Sequence, residues 1–335
     1  MSRASTVLLV VAACGAPAPP PPALARAERL EHDGADSVEA YREAAVSCTR
    51  GKYCADAWLG YASALARAGQ TRQAAEVYEA LPARLDPARA AAALAGAGTQ
   101  RLLLGEAEVA YRHFWRAITD YPDTAAADDC LRYIADDGGK RAPRQLYDVL
   151  LRLYPRLVDK QIADNLLYTA AKLAVALGDP AAALSLYDRL LAAHPKSQLW
   201  DDSAWLAAGL ARGRGDAAGA LRRYRALTAR REVALMAGSY FSPWMPQAQL
   251  EIGRLLRDEL HEPKQAVIEF GRVGALYPDS ILRDDALWER ARTEDELGDA
   301  AAACRTLATL EKDFPESRWE LELAPALRVK LGCAG

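Results

Sequence analysis

Three aspartate doublets, Asp128-Asp129, Asp201-Asp202 and Asp284-Asp285, are the residues of this 335-residue chain best suited by type to acid–base work or to holding a cation. Adjacent carboxylates can pass a proton, and clustered carboxylate oxygens suit a hard cation. Their placement argues for another role. Each doublet falls six and seven residues after a proline, Pro122, Pro195 or Pro278. That is the first turn of a following helix, where carboxylates complement the positive end of the helix dipole. One location used three times implies one structural role used three times. The glycine-rich run from Gly213 to Gly219 has the wrong spacing for a phosphate loop, and no strand precedes it. His32, His113, His194 and His261 are scattered, no HExxH or GxSxG occurs, and no Ser/His/Asp set can be argued. The expectation is no enzyme, no cofactor and no metal site.

The elements that carry these residues repeat. Turn glycines are expected at Gly69, Gly105, Gly138, Gly178, Gly215 and Gly298, with His261 in that place in the remaining unit. Five residues on stands a small residue (Ala74, Ala110, Ala183, Ala220, Ala266, Ala303), with Pro143 the exception. Nine on comes a ring or large apolar group: Tyr78, Phe114, Tyr147, Tyr187, Tyr224, Phe270 or Leu307. Twelve on comes Leu81, Ala117, Leu150, Leu190, Leu227, Val273 or Leu310. Seventeen on comes a closing proline in most units, with Pro87 one late and Glu232 in its place in the fifth. Glycine supplies the positive φ of a tight helix–helix turn, alanine lets helices cross closely, and the ring and leucine share one buried stripe. A single hairpin cannot bury its apolar face, so such units must stack.

This register resembles the tetratricopeptide repeat family over roughly residues 55 to 317, and the first clear unit places Trp58, Ala62, Leu65, Gly69, Ala74, Tyr78 and Leu81 on its landmarks. The match departs at Pro143 and around the fifth and sixth units, where the spacing stretches. The resemblance implies an all-α fold, a right-handed α-solenoid of about seven hairpins over residues 24–335. An atypical helix pair (Leu24 to Glu31, Asp36 to Ser47) is expected in front of it and a capping helix (Arg318 to Leu331) behind. In this family the first helices line a concave groove that holds partner peptides. Trp205 and Trp288, ten residues after Pro195 and Pro278, are therefore either binding anchors or packing between units. The segment 232–247 breaks the rhythm with Tyr240, Phe241 and Trp244, either as an aromatic contact surface or as an extended helix end.

The chain starts with Arg3, a short apolar run from Val7 to Ala13, and then Val11-Ala12-Ala13-Cys14-Gly15, which resembles a bacterial lipobox. That resemblance implies a signal peptide at 1–13, lipidation of Cys14 and a proline-rich tether at 14–23. Gly15 rather than aspartate after the cysteine implies the outer membrane. An ordinary signal peptide or a cytosolic chain with an apolar start are the alternatives. Exported chains meet an oxidising compartment. Cys48 and Cys54 flank a predicted turn, and Cys304 and Cys333 stand at neighbouring ends of antiparallel helices, so both pairs are candidate disulfides, while Cys130 is expected as a buried thiol. The absence of CxxC speaks against zinc.

A formal charge of −3 gives no basic footprint for nucleic acid. The breaks YPDT, HPKS, YPDS and FPES, and the segment 280–291, resemble periplasmic members of the family, the BamD lipoprotein and Tol-Pal-associated YbgF types. The expectation is a lipid-anchored, non-enzymatic scaffold at the periplasmic face of the outer membrane, binding envelope proteins such as outer-membrane assembly, Tol-Pal-like or secretin components. The alternatives are a pilotin-like lipoprotein serving a secretin or motility apparatus, and an envelope enzyme or its regulatory subunit.

Overall fold

A computed structural model describes residues 19–48, 51–230 and 242–333, and these contain α-helices and no strand. Residues 1–18, 49–50, 231–241 and 334–335 lie outside the described set; Cys14, Tyr240 and Phe241 are among them. The chain divides into two compact units, 1–134 and 135–335.

The first unit holds α1 (Pro22–His32), α2 (Val38–Ser47), α3 (Lys52–Arg67), α4 (Thr71–Ala80), α5 (Pro87–Leu103), α6 (Ala107–Asp120) and the start of α7 (Ala125–Arg141). From α1 to α6 each helix packs on the next, and α3 also reaches α5. The second unit holds the end of α7, then α8 (Pro143–Leu153), α9 (Ala163–Ala176), α10 (Pro180–Ala193), α11 (Trp200–Gly213), α12 (Ala217–Ala229), α13 (Trp244–Asp258), α14 (Pro263–Leu276), α15 (Arg283–Glu296), α16 (Ala300–Asp313) and α17 (Ala324–Leu331). Here too neighbours in sequence are neighbours in space from α8 to α17, and α11, α13 and α15 touch in series.

The repeat landmarks are the core. All six of the small residues five after the turn are fully buried, and all seven residues twelve after it are buried. Gly69, Gly105, Gly178, Gly215 and Gly298 take positive φ, and His261 (φ 56°) is the non-glycine residue that does so among the described residues. Three of these turns run Gly-Asp, and the aspartate caps the second helix: Asp179, Asp216 and Asp299 accept from the amides of Ala182, Gly219 and Ala302 at 2.8–2.9 Å.

Two expectations are corrected. Gly138 is not a turn: α7 runs on to Arg141, and the chain breaks at Ala142 (φ −148°) because Pro143 then sits at the start of α8. Pro87 does not close a helix: α4 has already stopped at Ala80, and Pro87 opens α5 behind Asp86, which accepts from Arg89 N at 3.1 Å. The C-terminal helix is also not uniform, since Trp319–Leu323 form a π-turn ahead of α17.

Helical glycines with ordinary φ have a different task. A Cβ at Gly60, Gly96, Gly98 or Gly253 would lie 2.2–2.7 Å from the rings of Tyr41, Tyr78, Phe114 and Phe270, respectively. These rings of second helices rest directly on the backbone of first helices. Glycine inside a helix costs about 0.5–1 kcal/mol relative to alanine, so Gly98→Ala and Gly253→Ala would ordinarily stabilise. The ring contact reverses the sign, and each is expected to destabilise by about 1–3 kcal/mol in chemical denaturation. His261→Gly is expected to do the opposite, raising stability by up to about 1 kcal/mol by removing the left-handed strain. A gain on Gly98→Ala would refute the ring-on-backbone account.

Candidate functional site

The first helices of the second unit bring several of the singled-out residues together. Trp205 on α11 stacks on Trp244 of α13, centroids 5.1 Å apart and planes within 12°, and is tilted against Tyr224 at 5.3 Å. The indole N–H of Trp244 donates to Asp202. Both tryptophans are half-buried, and Trp244 stands three residues beyond the undescribed Phe241. The same device recurs at α15: Trp288 stacks on Trp319 at 5.7 Å with planes within 9°, and the Trp319 indole donates to Asp285 at 2.9 Å. Here the ring is fully used, since Trp288 is 7% exposed and covered.

The doublets thus do more than face a helix dipole. In two of the three, the second aspartate ties its own helix to a tryptophan beyond the intervening second helix. The first aspartates also reach across: Asp284 accepts from the Ser317 hydroxyl at 2.7 Å, and Asp201 lies 3.6 Å from the Arg230 guanidinium. Asp129 instead pairs within its helix with Arg132 at 2.7 Å. The sequence signal for the tie was present as Asp-Asp-x-x-Trp at 201–205 and 284–288, but its partner lies 34 or more residues away.

Beside the rings runs a line of ion pairs that the repeat pattern did not show. Arg212 of α11 pairs with Glu251 and Glu259, Arg254 of α13 bridges Glu251 (2.7 Å) and Glu289 of α15 (3.0 Å), and Arg257 reaches Glu289 at 2.7 Å. Arg257 and Glu289 are both more than nine-tenths buried. A buried pair of this kind adds little over an apolar pair, yet breaking it leaves an uncompensated charge. It therefore fixes register between first helices. In the first unit Arg101 pairs with Glu79 and Glu106 at 2.7 and 2.6 Å, and His113 Nε2 lies 2.9 Å from Glu79.

Cys48 is joined to Cys54 and Cys304 to Cys333, with Cα separations of 5.4 and 5.5 Å. Cys130 is a buried free thiol whose pKa burial pushes up to about 12, which leaves it protonated and unreactive at neutral pH. Among the described residues no group of His, Cys, Asp and Glu is arranged to hold a metal ion, and no helix is long and apolar enough to cross a membrane.

Residues 165–197 and 285–317 match the tetratricopeptide repeat family model; they are the hairpins α9–α10 and α15–α16 with their closing breaks. A search of curated proteins gave no significant match. Among solved structures, the C-terminal part of a repeat-containing protein from Cytophaga hutchinsonii is similar at 11% identity and TM-score 0.45, covering 89% of this chain and 98% of that one. The type IV pilus biogenesis factor PilW is similar at 18% identity and TM-score 0.36 (81% and 98% covered), and PilF of Pseudomonas aeruginosa at 17% and 0.37 (69% and 95% covered). With TM-scores this low these likenesses carry no inference about partner or activity.

Two carboxylates are expected to respond to pH with opposite signs. Burial raises the Asp285 carboxyl above its usual range, opposed by the Trp319 indole hydrogen bond and reinforced by Asp284. A raised folded pKa means that ionisation opposes folding, so the cost is absent below the unfolded pKa and grows as pH rises through the folded one. Asp285→Asn keeps an acceptor for Trp319 and is expected to raise Tm at pH 7, with the gain vanishing toward pH 3. The Arg101 hydrogen bond lowers Glu79, against burial and with help from His113, so its stabilisation is present above the usual carboxylate range and is lost as pH falls through the folded value. Glu79→Gln is expected to cost about 1–2 kcal/mol at neutral pH and less near pH 3. Thermal melts at the two pH values check both signs.

Proposed function

We propose that this chain is a non-enzymatic scaffold that binds protein segments, held by acyl chains on Cys14 at the periplasmic face of the outer membrane and acting in assembly of an envelope complex. The observation that carries the binding role is the Trp205–Trp244 pair. It is half-buried, locked by Asp202 and backed by Tyr224. Such a surface has already lost its side-chain freedom, which lowers the cost of docking a partner. Aromatic residues of this kind are the usual anchors of protein interfaces. Trp288 is no part of this surface, because it is itself buried beneath Trp319, whereas Trp205 stays half-exposed. The motif around Cys14 and the proline-rich residues after it support the anchor, and two disulfides suit an oxidising compartment.

Capture from detergent-solubilised envelopes, with identification of the bound protein, tests the reading. Outer-membrane assembly components are the expected prey, and a secretin would move the protein to a pilotin-like role. Trp205→Ala with Trp244→Ala is expected to weaken capture by about 30-fold, the equivalent of a hot spot near 2 kcal/mol, with helical content unchanged. Unchanged capture would remove the aromatic surface from the account. Fatty-acid labelling of the natural chain, lost in Cys14→Ala, is expected for the anchor, and equal labelling of both would discard it.

A further inference from the structure

A groove of about 700 Å³ opens between α3 and α4 in the first unit. Trp58, Tyr61 and Leu65 of α3 face Val77 of α4 and Leu81 just past its end across it, and the Cys48–Cys54 disulfide lines it at the start of α3. Polar groups line it too, Glu76 and Arg84 among them. Trp58 meets Tyr61 edge-on with centroids 6.1 Å apart. Trp205 and Trp288 each lie beneath a parallel second indole, whereas no indole is stacked on Trp58 among the described residues. A slot of this size, walled in part by these rings and aliphatic chains and in part by polar groups, is in the usual range for a small ligand.

The path of the chain says what is near it. Ala23 and Leu24, at the start of α1, belong to the same apolar cluster as Tyr53, Trp58 and Tyr61. At the other end of these helices Glu31 pairs with Arg67 at 2.8 Å. The start of α1, the end of α2 and the start of α3 therefore share one end of the unit, the end at which Cys48, Gly51 and Cys54 line the groove. Cys14 precedes Pro22 by eight residues rich in proline. At about 3.1 Å per residue that stretch reaches about 25 Å, more than the roughly 20 Å of two helix spacings.

We propose that the groove seats an acyl chain carried by Cys14, an inference that rests on the lipid-anchor reading above. A lipidated chain away from a bilayer exposes its tails to water, and every exposed methylene is unfavourable. The slot between Trp58 and Val77 removes part of one tail from water, within reach of its point of attachment. The protein then carries a shelter for its own anchor, built into the second hairpin after the tether.

Cells fed a palmitate analogue bearing a diazirine test this with the full-length lipoprotein. After irradiation, reduction and trypsin digestion, the peptides spanning residues 53–67 and 73–84 are expected to be joined through the acyl chain to the peptide that begins at Cys14. Val77→Asp is expected to reduce that cross-link at least tenfold with labelling of Cys14 unchanged, while Val77→Leu retains it. Ala80→Arg, at an exposed position of α4, serves as a second variant if Val77→Asp misfolds. Label on Cys14 with cross-links only to membrane lipid, or to another protein lodged in the groove, would overturn the inference and leave the anchor standing. Absence of label from Cys14 would overturn both.

Discussion

The structure depends on how closely two helices can approach when one of them presents no side chain. Phe114 and Phe270 lie on the backbones of Gly98 and Gly253 within their own hairpins, and Tyr41 and Tyr78 lie on Gly60 and Gly96 of the next hairpin. A ring in such a contact is in place of a methyl group rather than beside one. The spacing between helices follows from it, and with the spacing comes the burial of the alanines and leucines that surround each ring. Interiors packed to crystal-like density tolerate little adjustment at such points.

Given that spacing, polar groups settle the register. Asp202 and Asp285 hold tryptophans beyond the intervening second helix, and Arg254 and Arg257 hold Glu289 across the gap from α13 to α15. The first helices α11, α13 and α15 are thus linked in series by directional bonds as well as by apolar contact. The chemistry that looks catalytic in isolation, paired aspartates and clustered arginines, is largely consumed by these links. What stays half-open is aromatic: the Trp205–Trp244 pair, and the walls of the groove around Trp58.

Much of the hairpin order was legible in the sequence because turn glycine, small residue, ring and leucine keep fixed offsets along one chain. His261 was readable as a glycine substitute for that reason, and its φ of 56° follows. Gly138 misled because offset alone cannot distinguish a turn glycine from a helical one when Pro143 sets the break four residues later. Pro87 misled because proline both ends helices and begins them. The ring-bearing glycines were invisible to a pattern built on turns, since whether Tyr78 meets its own hairpin or the next is decided by packing. The Arg257–Glu289 pair and the Asp285–Trp319 bond are contacts over 32 and 34 residues, and a single sequence does not show which distant group each residue will meet.

The two disulfides have a consequence for how the protein comes apart. Stacked hairpins hold only their neighbours, so the terminal ones are the natural places for melting to begin. One cross-link lies beside the second described helix, and the other ties α16 to the residue just past α17. By restricting the unfolded chain, a link spanning 29 residues contributes about 3–4 kcal/mol. With α2 stitched to α3 and the residues past α17 stitched to α16, fraying beyond α1 is hindered, and the oxidised protein is expected to open from an interior seam. A reductant would restore the ordinary route, letting it unravel inward like an unhemmed cloth.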